Sequence, residues 1–191
     1  MASAARVAHG LLFHYFKSKR GIYLAAMGEA SRGLDAAHQV DPRLPAGGQM
    51  RQLYRNHFFY LAGHEGLALR LTLSGRGTDP EAWRPVEEGR RRSLEWGLAL
   101  LGLDPGNDAL RMMLRAAISF ADETAVQWHK LGHRFDVELI ADALLDQTIA
   151  ALRGAARLDP SLDVEDAITQ LQKATIDSPA RCSAPRPRSS T

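Results

Sequence analysis

Cysteine is all but missing from this chain of 191 residues: Cys182 stands alone among Pro, Arg and Ser residues near the C-terminus. That excludes a disulfide framework and a cysteine-based zinc site, and a reducing cytoplasm is the expected home. Long apolar runs are missing too. No uncharged stretch approaches the roughly 18 residues a membrane-crossing helix needs, so no membrane partner is expected. The N-terminal stretch is interrupted by His9, His14, Lys17, Lys19 and Arg20, the wrong make-up for a secretory leader. β-Branched runs alternating with polar residues between Asn-Gly or Asp-Gly turns, the marks of strands, do not occur. Neither a phosphate-cradling glycine loop nor a nucleophile elbow nor a paired-carboxylate motif is found. The chain is therefore not expected to be an enzyme, and neither a cofactor nor a metal is expected.

Acidic residues are absent from positions 1–28, which hold Arg6, Lys17, Lys19 and Arg20. From Asp177 onward, Arg181, Arg186 and Arg188 face that one acid. The formal net charge is only +2, so the body, 29–176, is mildly acidic, with 21 acids against 17 cations. A basic end on an acidic body points to a polyanion partner at one end, although a few unbalanced charges also occur on ordinary solvated surfaces.

What is present is helical. Hydrophobic residues make up 45% and charged residues 24%, the mix of a folded globular chain, and the length suits about one domain. Ala, Leu, Arg and Glu, all good helix formers, dominate. Breakers fall at Asp41-Pro42 with Leu44-Pro45 and Gly47-Gly48, at 75–80, at Asp104-Pro105-Gly106, at Gly132-His133 and at Asp159-Pro160. Between them the pattern predicts helices near 9–16, 19–38, 49–63, 65–73, 80–103, 107–130, 136–156 and 163–174, an all-α fold. Asp163 with Asp166 three residues on has the form of a weak capping box. Residues 177–191 cannot bury enough apolar surface to order and are expected to form a loose tail.

Two long helices carry more apolar surface than one neighbour can cover. In 107–130, Leu110, Met113, Leu114, Ala117, Ala121, Ala125 and Trp128 share one face, yet Met112, Ala116, Ser119, Phe120 and Glu123 make the other side apolar or small as well. In 136–156, Val137, Ile140, Ala141, Leu144, Thr148 and Leu152 form a stripe, with Leu139, Ala143, Ala150 and Ala151 off it. Such a pair suits a symmetric bundle in which 107–130 and 136–156 pack on their own copies in a homodimer. Full burial inside a monomer accounts for the same pattern.

The most specific stretch runs Val7-Ala8-His9-Gly10-Leu11-Leu12-Phe13-His14-Tyr15-Phe16-Lys17-Ser18-Lys19-Arg20. As a short helix it can turn Val7, Leu12 and Phe16 inward, leaving His9, Leu11, Phe13, His14 and Tyr15 outward beside Lys17, Lys19 and Arg20. Against double-stranded DNA, cations hold phosphates, imidazole and phenol groups reach phosphates or base edges, and apolar groups meet the thymine methyl. From spacing alone, an amphipathic helix with a few exposed aromatics fits equally well.

The segment 10–20, leading into Ile22-Tyr23-Leu24, resembles the recognition helix and the start of the following helix in the tetracycline-repressor (TetR) family. Leu12, Phe13, Tyr15, Phe16 and Lys19 fill matching places in that motif, and the remaining run of helices ending in two long ones is similar in outline. The resemblance implies a remnant helix-turn-helix in 1–28, followed by a helical ligand-binding and dimerisation domain in 29–176. It implies that His9, Gly10, Leu11, Phe13, His14 and Tyr15 line the major groove or its walls. Lys19, at the next helix's N-terminus, would sit on a phosphate, where backbone amides help. It further implies a ligand-responsive transcriptional regulator, a repressor, acting on operator DNA.

The family motif needs two helices before the recognition helix, and only residues 1–6 stand there. Arg6 occupies the turn where the family often has Gly, a cost on the order of 1 kcal/mol. Ala8 replaces the usual Ser or Thr cap, roughly another 1 kcal/mol. Uncovered, Val7, Leu12 and Phe16 each forgo about 1.5–3 kcal/mol of burial. The expectation is a recognition helix on a damaged platform, with a wrongly assigned start codon as the simplest reason. The alternative function is a dimerisation or small-molecule-binding module that has lost DNA binding.

The resemblance also implies an effector pocket in the helical body. Phe58, Phe59, Trp96, Met113, Phe120 and Trp128 are candidate lining residues, and a small hydrophobic or aromatic effector is expected. For any single one of them, plain core packing is the favoured account. His129 and His133 have the i, i+4 spacing of two zinc ligands, but Gly132 falls between them at the expected helix end. Arg90-Arg91-Arg92 with Glu87 and Glu88 reads as a solvated face with i, i+3 and i, i+4 ion pairs.

Overall fold

Six helices form the described part of the protein: α1 (Lys19–Ala37), α2 (Ala46–Gly63), α3 (Pro80–Leu100), α4 (Asp108–Lys130), α5 (Val137–Leu158) and α6 (Glu165–Gln172). The computed structural model describes residues 18–64 and 80–173, and no strand occurs among them. The helices expected at 9–16 and 65–73, and the tail at 177–191, lie outside the described residues.

Local chemistry sets the helix ends. Ser18 Oγ accepts from the Gly21 amide (3.0 Å) to open α1, Asn107 Oδ1 accepts from Leu110 (3.0 Å) to open α4, and Asp136 Oδ1 accepts from Glu138 (2.7 Å) to open α5. Each side chain satisfies an amide that has no partner within its helix. Gly102 (φ 66°) and Gly132 (φ 66°) follow the ends of α3 and α4 in the left-handed region that favours glycine. There the next residues reach back, Leu103 N–H to Leu98 O (2.9 Å) and His133 N–H to Trp128 O (3.0 Å).

Two boundaries depart from the sequence pattern. Gly47 and Gly48 read as breakers but lie inside α2, because Leu44 and Pro45 fold back onto its first turn, 3.3 and 3.4 Å from where a Gly48 Cβ would be. The capping box at Asp163 and Asp166 does not form. Val164 is the cap of α6, and Asp163 Oδ1 accepts from the Glu165 amide (3.0 Å) as a local Asx turn.

Packing places α5 against α4 and α2, and α1 against α3. The largest apolar cluster joins Leu98, Leu110, Leu152 and Leu171, all fully buried, with Met50 and Ile149. A second cluster is built on Phe58 and Trp128, their rings 5.4 Å apart and tilted. The expected faces of α4 and α5 are largely as read, except that Ala151 is buried in the core. Met112, Phe120 and Leu139 are about half exposed (57%, 49% and 50%), so burial within one protomer does not account for these apolar positions. No helix among the described residues is long and apolar enough to cross a membrane.

Candidate functional site

Where α1 to α4 meet, a cavity of about 80 Å³ opens in the body. Its walls are mostly apolar: Leu34 from α1, Leu53 and Leu61 from α2, Val86 from α3, and Ile118 and Ala121 from α4. Set into these walls is a polar chain contributed by α2, α3, α4 and the residue that follows α1.

The chain starts at His38, which follows α1, and whose Nε2 lies 3.0 Å from Nδ1 of His57 on α2. His57 is buried, and among the described residues its Nε2 has no hydrogen-bond partner, lying 3.7 Å from Asp122 Oδ1 on α4. Asp122 in turn takes two hydrogen bonds from the α3 guanidinium of Arg90, Nε at 2.8 Å and Nη2 at 2.5 Å, both on Oδ2. Arg90 continues to Glu87 Oε1 (2.8 Å) beneath the Trp83 ring (4.7 Å), and Arg115 of α4 closes the chain on the Glu87 carboxylate (2.7 and 2.9 Å).

Burial dictates the protonation states. Desolvation, reinforced by its histidine neighbour, lowers the His38 pKa to about 3 against the weaker pull of Asp35 and Asp122. Desolvation and then Arg90 lower that of His57 to about 4. Both imidazoles are therefore neutral at neutral pH, and one must donate to the other. Placing the bridging proton on His38 Nε2 puts the His57 proton on Nε2, facing the Asp122 carboxylate; the reverse would turn a lone pair towards that oxygen. Burial also pushes the Asp122 carboxyl up, against the pull of Arg90 and Arg115. The two short bonds from Arg90 are those of a guanidinium holding a carboxylate.

At one side the cavity adjoins a groove of about 460 Å³ between the end of α1, the start of α2 and α3, and the two share Asp35, His38, Leu53 and Ser93 as walls. The Arg92–Asp35 ion pair ties α3 to α1 beside this junction.

The six aromatic and methionine positions expected to line a pocket do not come together there. Phe58 and Trp128 are core, Phe59 and Phe120 are exposed (56% and 49%), and Trp96 lies in the adjoining groove. The Met113 methyl sits over Gly154, within 2.6 Å of where a Cβ there would be, so it closes the α4–α5 contact. Large rings serve mostly as core filler, while the apolar walls of the cavity are aliphatic apart from Tyr54. The arginine run divides, with Arg91 pairing Glu95 (2.7 Å) on the surface and Arg92 reaching Asp35, whereas Arg90 is buried rather than solvated. His129 and His133 bond to each other (2.9 Å) and His133 stacks on Trp128. The available signal for the true polar chain was Asp122, a charge interrupting the inward positions Ile118, Ala121, Ala125 and Val126 of α4.

Of the expected DNA-facing residues, His9, Gly10, Leu11, Phe13, His14 and Tyr15 lie outside the described residues. Lys19 is exposed as the first residue of α1, next to the Ser18 cap. Polar contacts among the described residues that bind α1 to the body include Arg20–Glu81 (2.8 Å), Ser31 Oγ to Pro85 O (3.0 Å), Tyr60 Oη to Ala30 O (3.2 Å), and Arg92–Asp35.

No known family model matches this chain, and no curated protein does. Among solved structures, it is similar to a tetR-family transcriptional regulator from Streptomyces coelicolor, with a TM-score of 0.76 at 23% identity, covering 93% of this chain and 78% of that one. The protein therefore has the all-α fold of that tetR-family regulator.

Proposed function

We propose that the protein is a ligand-responsive DNA-binding transcriptional regulator that represses from an operator and is released by a small molecule held among α1 to α4. The observation that carries this reading is that one helix, α1, both walls the cavity and begins where the 9–16 segment ends. Ser31, Leu34, Asp35 and His38 line the cavity, while Lys19 is at the opposite end. At a rise of about 1.5 Å per residue the two ends lie roughly 18–28 Å apart, so a tilt of about 5° at the cavity moves the Lys19 end by about 2 Å. A useful response needs a coupling of only about 1–3 kcal/mol.

Two copies would pair through the exposed Met112 and Phe120 side of α4 and the Leu139 side of α5, setting two recognition helices about 34–36 Å apart on successive major grooves. Within this reading His9, Gly10, Leu11, Phe13, His14 and Tyr15 face the groove and Lys19 a phosphate. The test is a salt titration of binding to DNA from the neighbouring promoter. Specific binding should weaken steeply with salt as cations leave the phosphates. Dimers that bind a ligand but no promoter DNA would instead favour a sensing or dimerisation module.

A further inference from the structure

We infer that the body takes a straight alkyl chain, threaded end-on between α2 and α3, with its polar end left in the groove beside Arg92. This names the effector class for the regulator reading above and rests on it. Three spaces lie in series there. The groove of about 460 Å³ adjoins the cavity of about 80 Å³, and the cavity adjoins an inner chamber of about 50 Å³. Cavity and chamber share Leu53, Tyr54, Ser93 and Ile118 as walls, and Leu53 and Ser93 wall all three spaces.

Polarity falls along this path. Asp35, Gln39, Gln49 and Arg92 line the groove, whereas Met50, Leu94, Leu101 and Leu114 line the chamber. The Tyr54 and Thr148 hydroxyls in the chamber wall bond to each other (2.6 Å), and Thr148 also donates to Leu144 O (2.9 Å), so neither asks a ligand for a bond. Width selects against rings. An apolar cavity of about 150 Å³ admits benzene, and both inner spaces are smaller. Methylenes enter one at a time. At roughly 30 Å³ each, the share of one water molecule, about four fill the cavity and the chamber. Gly97 supplies the second observation. It lines the chamber from the interior of α3, where glycine is a poor helix former. No close packing requires it there, because among the described residues a Cβ would meet only Met50 Cε, at 3.8 Å. The missing side chain leaves that room to the end of the alkyl chain.

The experiment titrates the full chain, methyl-labelled at methionine and free of DNA, with 1-alkanols from propanol to octanol and with benzyl alcohol. The Kd read from the Met50 methyl resonance should fall about fourfold per added methylene. Once the two inner spaces are full, near pentanol to hexanol, each further methylene should gain less than about twofold. Benzyl alcohol should bind about tenfold more weakly than hexanol, since its ring overfills the cavity. Gly97→Ala is favoured in a helix, so it keeps the fold, and its methyl group takes the room of one methylene. It should move the break in the series one carbon shorter. An unbroken series, a break that stays put in Gly97→Ala, a Met50 resonance that ignores every alkanol, or benzyl alcohol binding as tightly as hexanol overturns the inference. A broken series with no effect of hexanol on promoter binding sinks the regulator reading alone. Intact promoter binding with no alkanol bound sinks the alkyl path alone.

Discussion

Replacing Arg90 by methionine should cost about 3–5 kcal/mol of unfolding free energy at pH 8, because it strands a buried carboxylate. The side chains of Arg90 and Asp122 are only 9% and 15% exposed, so solvent cannot take over from the lost guanidinium. Methionine fills most of the arginine's path beneath Trp83, which keeps the cavity term small. Glu87 retains Arg115 at 2.7 Å, so the damage concentrates on Asp122. Burial already raises the Asp122 pKa, and removing Arg90 raises it further. A carboxyl whose folded pKa exceeds its unfolded value binds its proton more readily when folded, so the variant's deficit relative to the wild type should shrink as pH falls and grow as pH rises. Urea denaturation followed by circular dichroism at pH 5 and pH 8 should therefore show a narrower gap to the wild type at pH 5. The double variant Arg90→Met with Asp122→Leu should return to within about 2 kcal/mol of the wild type, since no charge is left stranded. A loss below about 1 kcal/mol at pH 8, or a gap that ignores pH, would refute the reasoning.

The histidine pair makes the opposite prediction for the wild type. With folded pKa values of about 3 for His38 and about 4 for His57 against 6.5 when unfolded, stability is full above pH 6.5 and falls as acid is added. His57 alone accounts for roughly 2 kcal/mol between pH 7 and pH 5, and urea melts of His57→Phe should be correspondingly flatter over that range. Leu152→Ala, at a fully buried site on α5, should cost about 2–5 kcal/mol in the same assay. Asn107→Ala removes the α4 cap and the 2.7 Å bond from Asn107 Nδ2 to Asp159, and should cost about 1–2 kcal/mol. Phe120→Arg should leave the protomer folded, as the side chain is half exposed, and shift sedimentation equilibrium from dimer to monomer.

Helix by helix, much was legible in the chain. Leu110, Leu114, Ala117, Ala121 and Ala125 recur at three- and four-residue steps, and that period alone marks α4 and its inner face. The surplus of apolar residues on the outer side, Met112 and Phe120, was equally visible. The α2 start was misread because glycine ordinarily breaks a helix, and only the folding back of Leu44 and Pro45 shows why Gly48 suits that turn.

Periodicity along one helix is a local property, so the chain by itself determined an all-α body, some of its helix ends and which faces of α4 and α5 turn inward. It also determined that the end beginning at Met1 is basic and rich in rings. Which inward residues meet across helices is set by how those helices cross, and no local rule carries that. His38, His57, Arg90 and Asp122 come from four separate segments, the first and the last 84 positions apart in the chain. Only their packing turned an isolated acid on α4, one arginine of a run of three and two unremarked histidines into a single buried polar chain beside an aliphatic cavity. The physical reason is that a buried polar atom is constrained by every neighbour within about 4 Å, and those neighbours are chosen by the tertiary fold.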